Sequence, residues 1–260
     1  MAHTVKIDLT YDCNLACKWC DHLCGTKFIR PDYITTEQMK HYLKALDPYL
    51  GSRCQSIAVS GGEPTLHPQF FEILEMLVEI RPRLNWPIEI FSNGVGKEVN
   101  SVLDRVREKY PTEMTEYNTS TQQITQVYIC TSKDRNMEQV VKAHRPIFRA
   151  SIDIYTHTNP DYYTMCPVRR KCGELVCTPY GIYICPMAAP LISSIFKLGQ
   201  GFDHVPTSEE EKKQASEVCK YCPYKFLDAP TPIITSSYEK ALTQWEESPC
   251  FLELLEVPDV

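Results

Sequence analysis

Up to residue 155, short β-branched runs alternate with amphipathic helical stretches, and no other feature constrains the fold as strongly. Val5–Leu9, Ser56–Ser60, Pro87–Phe91, Gln126–Cys130 and Phe148–Ile154 read as strands. Thr35–Leu50, His67–Ile80, Lys97–Tyr110 and Asn136–His144 read as helices between them. The first helix is apolar at Met39, Tyr42, Leu43 and Leu46, and its Thr35 and Gln38 stand at capping-box spacing. The second has Pro68 in its first turn and Phe70, Phe71, Leu74, Leu77 and Val78 on its core face. The third is apolar at Val99, Val102, Leu103 and Val106. Repeated β-then-α units predict a parallel sheet with helices outside it.

Such sheets carry their chemistry at the carboxyl ends of the strands. Those ends hold Cys13 to Cys20, Gly61-Gly62-Glu63-Pro64, Ser92-Asn93-Gly94, Thr131-Ser132-Lys133 and Asp153, a polar, glycine-containing rim. The polar stretch Thr112–Thr125 reads as a loop. Beyond residue 160 the βα pattern stops. A hairpin over Glu174–Ile184 turns at Pro179-Tyr180-Gly181, and a helix follows near Ser208–Val218.

Thirteen cysteines are the compositional anomaly. No uncharged apolar run is long enough to span a membrane, and the N-terminus has no apolar core of a secretory signal, so a cytoplasmic protein off the membrane is expected. Disulfides rarely persist there, and metal is the usual reason for many thiols. A formal net charge of −6 argues against a nucleic-acid binder.

Cys13, Cys17 and Cys20 form C-x3-C-x2-C directly after the first strand. Three thiolates on one loop can converge on a metal centre. A 4Fe-4S cluster held by three ligands keeps one iron open for substrate or cofactor. The competing reading is a zinc knuckle that takes Cys24 as its fourth ligand. Gly61-Gly62-Glu63-Pro64 after the second strand decides between them. With Trp19 before the third cysteine, the two motifs together resemble the radical S-adenosylmethionine (SAM) superfamily over about residues 5–155.

The resemblance implies an α/β fold, a partial TIM-like (β/α) barrel over residues 1–160. It implies a 4Fe-4S cluster on Cys13, Cys17 and Cys20 whose open iron binds the amino and carboxylate groups of SAM. Gly61, Gly62, Glu63 and Pro64 would engage the methionine ammonium, as carbonyls and a carboxylate suit a cation. Ser92 and Asn93, and Ser151 and Asp153, lie where such enzymes contact the ribose or the methionine carboxylate. Lys133 and Arg135 are further candidates for that carboxylate.

Cys172, Gly181, Cys185, Cys219 and Cys222 resemble a Twitch or SPASM extension, which implies an auxiliary 4Fe-4S cluster domain over residues 161–260. The chain departs from that pattern: three residues separate Gly181 from Cys185 where the family usually has four. Cys166 and Cys177 compete with Cys172 as first ligand, and zinc on the same thiolates is the alternative metal. Five strands precede these cysteines where the family often has six, so the barrel is expected to be shortened and covered by the extension.

The implied activity is reductive cleavage of SAM to methionine and a 5′-deoxyadenosyl radical, which takes a hydrogen atom from a substrate. A flavodoxin- or ferredoxin-type donor would supply the electron. A small-molecule substrate, undergoing oxidation with the auxiliary cluster as electron acceptor or rearrangement, is preferred over a short peptide. Only four residues precede the first strand, so no leader-binding domain is expected. A peptide maturase, a radical epimerase with Cys130 as hydrogen donor, and a non-enzymatic iron–sulfur or zinc scaffold are the alternatives. The aromatic group Tyr155, Tyr162 and Tyr163 reads as pocket lining or as packing.

Overall fold

A computed structural model describes residues 4–15, 20, 22, 24, 29–111, 126–131, 166, 175–185, 189–199, 201–222 and 236–243. The expected helix Asn136–His144, the strand Phe148–Ile154 and the loop Thr112–Thr125 lie outside the described residues.

Among the described residues six strands form one sheet, in the order β4-β3-β2-β1-β5-β6. They are β1 (Thr4–Thr10), β2 (Ser56–Gly61), β3 (Ile88–Ser92), β4 (Val127–Thr131), β5 (Leu175–Thr178) and β6 (Gly181–Tyr183). The first four pair in parallel, as the βα alternation requires. The hairpin belongs to the same sheet: β5 runs parallel to β1, with Val5 opposite Leu175 and Ile7 opposite Cys177. Among the described strands only β6 is antiparallel, to β5.

Alternate strand residues build the core. Val5, Ile7, Leu9, Ile57, Val59, Ile88, Ile90 and Val127 face the helices α1 (Thr36–Leu46) and α2 (Phe70–Ile80). Met39, Tyr42 and Leu46 of α1, and Phe70, Ile73, Leu74 and Leu77 of α2, fill the other side. Each fully buried side chain of this kind contributes about 1.5–3 kcal/mol. Val106 of α3 (Lys97–Lys109) joins the same core. The opposite sheet face carries Lys6, Asp8, Ser60, Glu89, Phe91, Tyr128 and Cys130. Its polar character sets it apart as the working face.

Helix α1 begins where its capping box says. Thr35 Oγ1 accepts the Gln38 N–H at 3.1 Å and Gln38 Oε1 accepts the Thr35 N–H at 2.9 Å. Helix α2 starts at Phe70, three residues later than the pattern suggests. Pro68 accounts for His67, because the residue before a proline is pushed out of the α region and His67 sits at ψ 125°, and Gln69 serves as the N-cap at φ −107°. His67 is instead a buried bracket. Its Nδ1 accepts the Gln69 N–H at 3.0 Å, so its Nε2–H donates to the Ile34 carbonyl at 2.8 Å.

Beyond the hairpin, α4 (Ala189–Phe196), α5 (Ser208–Val218) and α6 (Ser236–Thr243) follow. A second small core joins Val176, Tyr183, Ile184, Ile192, Ala215 and Val218. Gly181 turns the hairpin at φ 124°, and a Cβ there would lie 2.6 Å from the Gly201 backbone. Only glycine fits, because Phe202 exchanges hydrogen bonds of 2.7 and 2.8 Å with Ile182 beside it.

Candidate functional site

The carboxyl ends of β1, β2 and β3 converge on the first cysteine loop, and backbone packing drives the convergence. Past β1 the chain stays paired to the end of β2: Gly62 N–H donates to Thr10 O at 2.7 Å and Glu63 N–H to Asp12 O at 2.8 Å. A Cβ on Gly61 would stand 2.2 Å from Thr10 O, and one on Gly62 2.1 Å from Asp12 O. The two glycines are therefore the condition for the loop that carries Cys13 to lie against β2.

Asp12 is held from the other side. Its backbone N–H donates to Thr10 Oγ1 at 2.8 Å, and Tyr33 OH donates to its Oδ2 at 2.6 Å. That hydrogen bond, with burial and the Asp12 charge, pushes the Tyr33 phenol up to about 12.

Glu63 is fully buried. Its Oε1 accepts the Thr65 N–H (3.2 Å), Thr65 Oγ1–H (2.7 Å) and Ser92 Oγ–H (2.9 Å). Its Oε2 accepts the Asn93 N–H at 2.7 Å. One carboxylate thus ties the end of β2 to the end of β3. Ser92 also accepts the Gly94 N–H at 3.1 Å, which shapes the turn.

The side chain of Asn93 completes the junction. Its Nδ2 donates to Asn14 Oδ1 at 2.8 Å and to Cys13 Sγ at 3.8 Å. Its Oδ1 accepts the Val95 N–H at 2.7 Å, and Asn14 Nδ2 donates to Val95 O at 2.7 Å. The structure thus brings together Cys13, Gly61, Gly62, Glu63, Pro64, Ser92 and Asn93, all expected from the sequence. Cys17, Trp19, Ser151, Asp153, Lys133 and Arg135 lie outside the described residues, as do Tyr155, Tyr162 and Tyr163.

Cys24 is buried and hydrogen-bonded to Cys20. That bond, burial and the nearby Cys20 and Cys13 thiols push its own thiol well up. Below the loop, Asp8 is fully buried on the working face. It accepts Ser60 Oγ–H at 2.8 Å and Tyr11 OH at 3.2 Å, with Lys6 Nζ and His22 Nε2 each 3.6 Å away. Burial pushes the Asp8 carboxyl up, but Lys6, His22 and the hydrogen bonds outweigh it and hold it below its ordinary value. His22 therefore joins Ser60, Tyr11 and Lys6 around Asp8; the sequence singled out none of Asp12, Asn14, Tyr33 and Asp8. Asn14 and Asp12 flank Cys13, which was the available signal, whereas nothing local marks Tyr33 or Asp8.

The hairpin touches the same region. Tyr180 stacks on Tyr11 at 5.7 Å and 8°, and its OH donates to Arg30 O at 2.9 Å. Cys185, Cys219 and Cys222 all pack against the second core, beside Tyr221, which stacks on Phe196 at 4.0 Å. Cys177 faces the main core instead and is fully buried, and burial pushes its thiol up. Cys185 packs against a different core. Cys166 is half-buried, and Cys172 lies outside the described residues. Among the described residues no three His, Cys, Asp or Glu side chains are arranged to hold a metal ion, and each expected thiolate set has one member beyond them. The donors present suit iron: soft thiols on a loop, one of them already accepting an N–H. Cys130 on β4 stands opposite Phe91 of β3 on the working face. No described helix is long and apolar enough to cross a membrane.

A family model described as the radical SAM superfamily matches residues 7–165. The GTP 3′,8-cyclase of Streptomyces coelicolor is 28% identical over 97 residues, which are 37% of this chain and 27% of that protein. The chain therefore matches only about a quarter of that relative's length. The crystal structure of BtrN in complex with AdoMet and 2-DOIA aligns with 71% of this chain and 73% of its own, at 13% identity and a TM-score of 0.40. That of Streptococcus suis SuiB bound to S-adenosylmethionine aligns with 98% of this chain and 68% of its own, at 12% identity and a TM-score of 0.36.

Proposed function

The chain belongs to the radical SAM superfamily, and from that premise we propose that it is a small-molecule-modifying enzyme with two iron–sulfur sites. Cys13, Cys17 and Cys20 hold the first 4Fe-4S cluster, and Gly61 to Pro64 form the edge that receives the methionine ammonium of SAM. Ser92, Asn93, Ser151 and Asp153 line the remainder of the SAM site. When bound, the cluster and SAM together supply a 5′-deoxyadenosyl radical able to remove a hydrogen atom from the substrate.

The observation that carries this reading is the chain of contacts from Glu63 through Asn93 to Cys13. It ties the glycine-rich edge and the cysteine loop into one unit, which a plain metal scaffold does not need. The carboxylate of Glu63 places negative charge behind the edge that meets the ammonium. Ser60, Phe91, Tyr128 and Cys130 lie on the face where the substrate is held, and the protein's task there is orientation and exclusion of water.

Cys172, Cys185, Cys219 and Cys222 hold an auxiliary 4Fe-4S cluster in a Twitch-like unit. Such a cluster would supply an acceptor for the electron released when the substrate is oxidised. The gathering of Cys185, Cys219 and Cys222 on one small core supports this set. An intramolecular bond-forming rearrangement is the second reading, favoured by the relative named a cyclase. A flavodoxin- or ferredoxin-class donor supplies the electron for the first cluster.

Anaerobic iron and sulfide quantitation with electron paramagnetic resonance tests the proposal. About eight irons in the wild type and about four in a Cys13→Ala/Cys17→Ala/Cys20→Ala variant are expected, with a SAM-sensitive signal lost in the variant. Zinc in place of iron, or no response to SAM, would overturn it.

A further inference from the structure

The amide of Asn93 has only one orientation compatible with its neighbours. The Val95 backbone N–H is a donor alone, so the atom facing it at 2.7 Å is Oδ1. The two Nδ2 hydrogens then point away from Val95. The partners there are Asn14 Oδ1 at 2.8 Å and Cys13 Sγ at 3.8 Å. Asn14 is locked in turn, because its Nδ2 donates to the Val95 carbonyl at 2.7 Å and presents Oδ1 to Asn93. The Asn93 backbone is pinned by Glu63 Oε2 at 2.7 Å. Every polar atom of this side chain is therefore committed, and one N–H is held on the Cys13 sulfur.

An N–H on a ligating sulfur stabilises whichever state carries more negative charge there. One-electron reduction of a thiolate-held cluster adds that charge. Hydrogen bonds to the sulfurs are among the factors that set the potentials of such clusters. We propose that Asn93 is a positioning residue for the Cys13 thiolate and that its Nδ2–H raises the reduction potential of the cluster held there. This rests on the reading that Cys13, Cys17 and Cys20 hold that cluster. The donor that reduces it, of the flavodoxin or ferredoxin class, then faces a smaller uphill step.

The test compares wild type with Asn93→Ala, Asn93→Asp and Asn100→Ala. Each is reconstituted anaerobically, counted for iron, and titrated with dithionite while the reduced-cluster resonance is followed. Asn93→Ala should shift the reduction equilibrium roughly tenfold toward the oxidised form, about 59 mV for one electron. Asn93→Asp keeps an acceptor for Val95 but turns an oxygen to the sulfur, and shifts further the same way. Asn100→Ala loosens the same turn without facing the sulfur, since Asn100 Nδ2 donates to Gly94 O at 3.2 Å and Gly96 O at 2.7 Å; its potential should match wild type. A change within about twofold for Asn93→Ala, or an equal shift in Asn100→Ala, overturns the inference while leaving the proposed function intact. A wild type without the first cluster overturns both. If Asn93 variants take up no iron, pulsed resonance on wild type labelled with nitrogen-15 at the asparagine amides decides. A coupled side-chain nitrogen supports the hydrogen bond, and its absence overturns it.

Discussion

Glu63 Oε2 accepts the backbone N–H of Asn93 at 2.7 Å, and this contact spans from the end of β2 to the end of β3. Both residues sit where two separate motifs meet. Glu63→Gln keeps the size but sets an amide among four donors, so at least one buried N–H or O–H loses its acceptor. An unsatisfied buried group costs about 1–3 kcal/mol. The variant is expected to melt several degrees lower and to bind SAM more weakly in equilibrium dialysis. Unchanged melting and unchanged binding would refute the bracing role.

Gly62→Ala should damage the first cysteine loop more than the sheet. The added Cβ would lie 2.1 Å from Asp12 O, closer than real contacts allow, and neither partner is a flexible side-chain tip. The loop must move off β2, taking Cys13 with it. Iron bound to the first site is expected to fall sharply, while far-ultraviolet circular dichroism stays near wild type.

His67 makes stability depend on pH. Burial lowers its folded pKa below the ordinary value of 6.5. In the window between the folded and unfolded values the unfolded state binds more protons, so stability rises with pH there. It is fully present above about 6.5 and is lost as pH falls toward the folded value. Protonation would also force a proton onto Nδ1, which accepts the Gln69 N–H. Denaturant melts of wild type should weaken progressively below that pH, and His67→Gln should flatten the slope.

The hairpin and the first cysteine loop should unfold together. Tyr180, in the turn after β5, and Tyr11, just past β1, stack at 5.7 Å and 8°. A double-mutant cycle of Tyr11→Leu and Tyr180→Leu is expected to give a coupling of about 0.5–1.5 kcal/mol. Additive effects would mean that the hairpin contributes nothing to the loop.

Cys177 and Cys185 differ by only eight positions yet face different cores. Cys177→Ala is expected to cost about 1 kcal/mol of stability and no iron, because the thiol packs as a small apolar group. Cys185→Ala should lose auxiliary iron. Iron lost from Cys177→Ala would revise the ligand set.

The βα alternation as far as β4, the capping box at Thr35 and Gln38 and the glycine hairpin turn are legible in the sequence. Each is written in local spacing: period 2 for strands, 3.6 for helices, and a positive φ that only glycine tolerates at position 181. The late start of α2 was also local, since Pro68 excludes His67 from the helix, but the apolar pattern ran through it and masked the effect.

What local spacing cannot carry is which strand ends meet. That β5 lies beside β1 depends on pairing across more than 160 residues, and hydrogen-bond registers of that span leave no trace in a window of residues. The face taken by Cys177 follows from that pairing, since a one-residue slip would turn it to the other side of the sheet. The same holds for Asp8, whose carboxylate is tolerable in a buried strand only because Ser60, Tyr11, Lys6 and His22 gather on it. It holds also for Asn93, an ordinary turn residue in the sequence. It became a donor to Cys13 only once Glu63, Val95 and Asn14 had fixed which way its amide points.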